Sequence, residues 1–277
     1  MPLAPQMMLP TTILVAVLGL VMGSFLNCLA WRSTHGESVL EGRSHCTSCG
    51  HVLGPADLVP VLSWVFSGGK CRYCGERVSW RYPATEVLCS VIYVSIFLRY
   101  GLTLETVELI AFASVLLVLS LTDLDSYIIP NATIVAAIVI RVVYLVVNPL
   151  VTGTDLVGPL VESLIGFFGV GIAMLVVTLA MDFLLGKESL GGGDIKLLAV
   201  AGLYFGWQQC LFLIVVACVL GLVFAALASR GRETLADGTM SSDHLIPFGP
   251  AIAAACWVTM LWGRDVLAWY LGLFGLG

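Results

Sequence analysis

The sequence predicts an all-α polytopic membrane protein, about eight transmembrane helices with a small cytoplasmic insert between helices 1 and 2. Composition is the first reason. Of the 277 residues 59% are apolar and 11% charged, where a soluble domain has about 45–50% and about 25%. Segment length is the second, because a helix needs about 20 mostly apolar residues to cross a bilayer, and several stretches supply them. The third is that a single long polar stretch, 32–82, interrupts the apolar ones. Together these exclude a disordered tail, a collagen-like fibre and an ordinary soluble enzyme. With 18 acidic residues against 13 basic ones, the chain lacks the basic surface that a nucleic-acid partner requires, so no nucleic acid is expected.

The spans follow in order. Ile13 to Ala30 is uncharged and reads as span 1. No charged side chain occurs in the first ten residues, so the Lys/Arg-rich start of a cleaved signal peptide is missing and span 1 is expected to be retained. Pro83 to Leu98, with Glu86, reads as span 2. Thr103 to Thr122, with Glu105 and Glu108 in its first turns, reads as span 3, and Asn131 to Val147, containing Arg141, as span 4. Ser163 to Met181 is uncharged span 5. Ile195 to Trp207, only 13 residues, is expected as a short span 6 buried in the bundle. Cys210 to Ala228 is uncharged span 7, and Leu245 to Gly263, with Pro247 and Pro250 near its start, is span 8. Residues 229 to 244 read as a flexible loop. Lys and Arg in short loops set orientation. Ten of them, from Arg32 to Arg232, fall on one face; Arg99, Arg264 and Arg141 fall on the other. The basic face is then cytoplasmic, with both termini outside. The expected division is 1–31 as the first helix, 32–82 as the insert and 83–277 as a seven-helix membrane domain.

The insert carries Cys46-Thr-Ser-Cys49 and Cys71-Arg-Tyr-Cys74, two C-x2-C pairs 21 residues apart. Each pair suits a tight knuckle, with Gly50 and Gly75 directly after it, and the two together suit a tetrahedral Zn2+ site in a zinc-ribbon-like insert. A cytoplasmic location keeps the thiols reduced. Four unrelated cysteines, or two local disulfides, are the plainer alternative. Four Cys ligands leave no open position for a catalytic water, so the metal is expected to be structural. His45 and His51 read as surface residues. Cys28, Cys89, Cys210, Cys218 and Cys256 lie in apolar runs and read as small hydrophobes.

Ionisable groups at the ends of spans are costly and point to function. One acidic site is Asp123-Leu-Asp125-Ser-Tyr-Ile-Ile-Pro130-Asn131, at the cytoplasmic end of span 3. The other is Gly191-Gly-Gly193-Asp194-Ile-Lys196, at the cytoplasmic start of span 6. The topology puts both at one depth on one side. Two carboxyls held close share a proton, which suits one to take a proton from water while the other polarises a carbonyl. Glycines beside them let a substrate strand approach. The plainer reading is that Asp194 caps span 6 and that Asp123 or Asp125 marks a membrane boundary. Lys196 is either a neighbour of Asp194 or a boundary cation. Glu86, near the start of span 2, either holds a polar network, binds an amine or pairs with Arg81.

Taken in order, these segments resemble the type IV prepilin peptidases, the bacterial branch of the GxGD membrane aspartic proteases. Gly23-Ser-Phe-Leu-Asn-Cys-Leu-Ala-Trp-Arg32 is similar to the family's opening signature, with Cys28 where an aliphatic residue is usual. The double C-x2-C insert follows. Arg81-Tyr-Pro-Ala-Thr-Glu86 resembles the segment entering the second helix. Asp123 with Pro130 matches D-x6-P, and Gly191, Gly193, Asp194 and Lys196 match G-x-G-D-x-K. Ile246-Pro-Phe-Gly-Pro250 also fits.

The resemblance implies a membrane-embedded aspartic endopeptidase. Its substrates would be prepilins or pseudopilins of type IV pili or type II secretion, cleaved after a glycine at the cytoplasmic face. Asp123 and Asp194 take the two catalytic positions by this match, with Asp125 as the alternative for the first. Many members also methylate the new N-terminus from S-adenosylmethionine, an activity associated with the N-terminal half and the insert. The competing expectation is a non-enzymatic assembly scaffold or transporter carrying a zinc ribbon. A transporter predicts matched halves and a mid-depth polar site, whereas the polar residues here gather at one face. The oligomeric state is left open.

Overall fold

The computed structural model describes residues 5–38, 42–187, 189–230 and 247–275. Most of the expected 229–244 loop lies outside the described residues. The helices are α1 (Pro5–His35), α2 (Leu62–Phe66), α3 (Arg81–Tyr100), α4 (Leu104–Ser126), α5 (Asn131–Thr152), α6 (Val157–Leu185), α7 (Gly192–Arg230) and α8 (Gly249–Leu273). Among the described residues seven helices are long and apolar enough to cross a membrane, and the only β-pairings are the isolated bridges His45–Val52 and Lys70–Arg77. The helices overrun the apolar stretches, because a polar residue at a membrane boundary does not end a helix. Thus α6 begins at Val157, six residues before Ser163. The chain forms two compact units, up to Thr122 and from Asp123 on.

In the first unit α1 and α3 pack antiparallel on small residues. A Cβ added at Gly19 would stand 2.5 Å from Ser90 Cα, and one at Gly23 2.7 Å from Glu86 Cα. This is the close backbone approach that small residues four apart allow between membrane helices. The Ser90 hydroxyl donates to Ala16 O at 2.9 Å, and the Asn27 amide to Tyr82 O at 3.3 Å. The opening signature therefore builds a helix crossing. α3 meets α4 through Tyr93 Oη and Ser114 Oγ at 2.6 Å. Arg81 Nη2 donates to Leu121 O at 3.1 Å, tying the start of α3 to the penultimate turn of α4.

In the second unit, α7 would be about 58 Å long if straight, at about 1.5 Å per residue, roughly twice the hydrocarbon thickness. It is not straight. Gly206 has φ 71° and ψ 168°, a region open essentially to glycine alone, and the chain turns back there. Along α6, a Cβ at Gly171 would stand 3.0 Å from Ala199 Cβ, and Gly166 lies against the Gly202 backbone. The first arm, 192–205, is therefore antiparallel to α6. Yet Ile165, Gly169 and Met174 of that same helix bound an apolar cavity of about 350 Å³ with Trp207, Leu211 and Ile214. Ala199 and Ile214 would be some 22 Å apart on one straight helix, so the second arm must return alongside α6. α8 runs against that arm, with Gly263 near Gln209 and Gly221 near Phe248 and Ala251.

The two arms are the expected spans 6 and 7, so the count of about eight stands. Residues 197 to 204 of the first arm are all buried, as expected of a short span inside a bundle. Arg141 is not a boundary charge. It sits in the middle of α5, where Nε donates to Leu203 O at 3.1 Å and Nη2 to Ser163 Oγ at 3.0 Å. Leu203 is in the last turn before the Gly206 break, where carbonyls lose their helical donors. Hydropathy registered the charge and could not register this partner.

Candidate active site and metal-binding insert

Asp123 lies in the last turn of α4, which stops at Ser126 and turns through Tyr127 at φ 55°. Its side chain is 5% exposed, whereas Asp125 is exposed. Oδ2 of Asp123 accepts the Gly249 amide at 3.0 Å. That amide opens α8, so the positive end of a helix points at the carboxylate. Pro250, just inside the helix start, has no N–H to satisfy. Sequence reasoning quoted Pro247 to Pro250 and assigned it no role; its signal was a Gly-Pro pair entering an apolar run.

Asp194 lies in the first turn of α7, and the Gly191 amide donates to its carboxylate. This is a helix cap, so the plainer expectation for Asp194 holds as far as it goes. Capping does not exhaust the residue, because the Asp123 carboxyl lies close enough to interact with it electrostatically. The two aspartates singled out in sequence, 71 positions apart, are thus brought together, and Asp125 stays outside.

The glycines before Asp194 divide their work. A Cβ at Gly191 would stand 3.2 Å from Asp194 Oδ2, and one at Gly193 would stand 3.0 Å from Ile129 Cβ. At Gly192 nothing lies within 4 Å. The first and third glycines are needed for space and the middle one is not, which is the G-x-G pattern. Lys196 does not neutralise Asp194. Its Nζ donates to Asn131 Oδ1 at 3.0 Å, joining the starts of α7 and α5. Glu86 is buried in the other unit, where Oε2 accepts the Val61 amide at 2.7 Å and the carboxylate also bonds the Ser24 hydroxyl. Of the roles open to it, the polar network is the one seen.

In the insert, the Sγ atoms of Cys46, Cys49, Cys71 and Cys74 all lie within 4.8 Å of one another, and Cys46 and Cys74 are 4.0 Å apart. Four sulfurs at about 2.3 Å from one tetrahedral ion would be about 3.8 Å apart, so the donor set fits Zn2+. The knuckles match: Gly50 N–H bonds Cys46 O and Gly75 N–H bonds Cys71 O, both at 2.9 Å. Gly50 and Gly75 have φ 70° and 76°, which glycine alone adopts without cost. The Cys49 and then the Ser48 amides pull the Cys46 thiol down to about 6. The Glu76 amide acts in the same direction on Cys74, but desolvation and the neighbouring sulfurs outweigh it and push that thiol up to about 12. His51 stacks on Tyr73 at 3.5 Å and His45 faces Glu37, so both histidines are engaged outside the cluster.

Comparison with known proteins follows the same division. Residues 17–100 match the bacterial peptidase A24 N-terminal domain, and residues 110–226 match the type IV leader peptidase family. A prepilin leader peptidase/N-methyltransferase of Bacillus subtilis is 30% identical over 92% of this chain and 96% of its own. A protein of the same name from Pseudomonas putida is 31% identical over 95% of this chain and 94% of its own. The namesake from Pseudomonas aeruginosa is 27% identical over 94% and 93%. No solved structure matches. The chain is a multi-pass membrane protein that belongs to the type IV leader peptidase family.

Proposed function

We propose that this chain cleaves the leader from type IV prepilins and pseudopilins and methylates the N-terminus so exposed. The observation that carries the peptidase half is the pair Asp123 and Asp194, buried or half-buried at one helix-end cluster and within electrostatic reach of each other. The methyl-transfer half rests on the names of the relatives, with S-adenosylmethionine as methyl donor.

In this reading a water stands between the two carboxyls. One carboxylate takes a proton from it while the protonated partner donates to the carbonyl oxygen of the peptide bond after the leader's last glycine. The oxygen of water bonds the carbonyl carbon; as C=O re-forms, one hydroxyl of the intermediate returns its proton to the partner carboxylate, the C–N bond breaks, and the leaving amine takes the proton held by the first carboxyl. The Gly249 amide and the start of α8 orient Asp123 throughout. Gly191 and Gly193 let the first turn of α7 sit closely against Asp194 and Ile129, which holds the Asp194 carboxyl in place. Residues 32–82 are taken as the structural insert, in which Cys46, Cys49, Cys71 and Cys74 would hold Zn2+, and the metal would supply folding energy to the two knuckles. The first membrane segment, assigned to 1–31, precedes it and the catalytic membrane part, 83–277, follows. The surplus of Lys and Arg on one face supports a site on the cytoplasmic side of the membrane, taken here as a bacterial inner membrane.

The relatives named above carry the enzyme name, which favours this reading over a scaffold or transporter. The test is mass spectrometry of a purified prepilin incubated with the protein in bilayer nanodiscs. Loss of the leader after its glycine is expected, with one methyl added when S-adenosylmethionine is present. An intact prepilin, with zinc-loaded protein and several prepilins tried, overturns the reading.

A further inference from the structure

The insert has an apolar face that its own fold leaves uncovered. Leu62, Val65 and Phe66 of α2, with Leu58 and Val59 just before it, point to solvent, and Phe66 is 80% exposed. Leu62, Val65 and Phe66, at i, i+3 and i+4, share one face of α2. Trp64 faces the other way, donating Nε1–H to Val78 O at 3.0 Å and packing over Gly69. A patch like this on a water-surrounded domain marks an interaction surface.

What covers it follows from where α2 is tied. Val61, the residue before α2, sits at the apex of a γ-turn closed by Pro60 O and the Leu62 amide, at φ 61° and ψ −51°. This turn is rare and strained for a β-branched residue. Its free amide reaches Glu86 Oε2 at 2.7 Å. Glu86 is five residues into α3, about 8 Å along the helix from Arg81. Its side chain leans back toward the helix start, yet Val61 is still held at the level of the first turns of a membrane span. Trp64 is fastened at Val78, two residues before Trp80, which is 73% exposed at the mouth of that span, the depth that tryptophan favours. Charge agrees with this placement. Residues 32–82 hold six Lys or Arg against four Asp or Glu, in a chain of net charge −5, and the exposed Lys70 and Arg77 flank the pinned segment.

We propose that the α2 segment is an interfacial anchor. Leu62, Val65, Phe66 and Trp80 insert into the leaflet that α3 enters at Arg81, and anionic phospholipid headgroups meet Lys70 and Arg77. An amphipathic segment lying this way buries its apolar face about 5–10 Å into the headgroup boundary. The insert is then docked on the membrane, with Glu86 fixing its depth.

Photocrosslinking of the full-length, zinc-loaded protein in nanodiscs tests this. p-Benzoylphenylalanine replaces Phe66, and in separate samples Ile13 of α1 as a lipid-facing control and Glu76 as a control in the second knuckle. Mass spectrometry should find phospholipid adducts at 66 at a yield within about threefold of that at 13, and at least tenfold above 76. The yield at 66 should fall when phosphatidylglycerol is replaced by phosphatidylcholine. Position 62 serves as the second probe should the 66 variant lose zinc. No lipid adduct at 66 and 62 while 13 gives one, or an adduct to a protein, overturns the proposal. A yield indifferent to lipid charge overturns its electrostatic part.

Discussion

Gly193→Ala is the sharpest perturbation of the site. Its Cβ would stand 3.0 Å from Ile129 Cβ, 3.3 Å from Cδ1 and 3.4 Å from Cγ1. Carbon pairs settle at about 3.5–4.0 Å, so the start of α7 and the segment after α4 must part by about 0.5–1 Å. Overpacking of this kind costs about 1–3 kcal/mol. The larger effect is on geometry, because the next residue is Asp194 and a misplacement of about 1 Å lowers a reaction by about 10²-fold. kcat/KM for leader cleavage should therefore fall about 10²-fold while zinc content is unchanged. Ile129→Ala in the same chain should restore about tenfold of it, since two of the three close atoms are gone. Gly192→Ala, where nothing lies within 4 Å, should stay within about threefold of wild type. Equal losses from Gly192→Ala and Gly193→Ala, or full activity in the latter, would refute the reasoning.

Cys46→Ser or Cys71→Ser should abolish zinc retention and unfold the insert, read as loss of one metal per chain by elemental analysis and faster hydrogen exchange over 46–75, because structural zinc is folding energy. Gly206→Ala should lower stability by about 1–3 kcal/mol in denaturant titration, since alanine is strained at φ 71° and ψ 168°; an unchanged midpoint would argue against the reversal. Asp155 caps α6 by accepting the Gly158 amide at 2.8 Å and the Val157 amide at 3.2 Å, and these bonds lower its carboxyl below the usual range. A depressed folded value means a contribution present above the unfolded value and lost as pH falls through the folded one. The stability difference between wild type and Asp155→Asn should accordingly be full at pH 7 and shrink as pH falls below the usual carboxylate range; a difference that grows on acidification would contradict this.

Hydropathy and cysteine spacing carried much of the architecture, because both are local. The apolar stretches located the spans, and two C-x2-C pairs with trailing glycines specified two knuckles before any contact was known. Asp123, Asp194 and the G-x-G pattern were legible for a similar reason: rare residue types at a membrane boundary stand out. What stayed hidden depends on distant partners. Asp123 meets Gly249 across 126 positions and Arg141 meets Leu203 across 62; neither pairing leaves a periodic trace. Arg141 looked like a boundary charge because hydropathy assigns it a cost and no partner. The boundary between the sixth and seventh spans was visible, but the reversal rests on one glycine conformation. The α2 face was missed because five residues, Leu62–Phe66, are too few for a helical period to rise above a polar surrounding.

Cleavage of a purified prepilin by wild type, Asp123→Asn, Asp194→Asn and Asp125→Asn tests the central claim most directly. Each carboxamide keeps the side chain's shape and removes its ability to take or give the proton. Wild type and Asp125→Asn should shift the prepilin to its mature size, while Asp123→Asn and Asp194→Asn should leave it intact although folded and zinc-loaded. Cleavage at the wild-type rate by either of those two variants would contradict the assignment of the buried pair as the reacting groups.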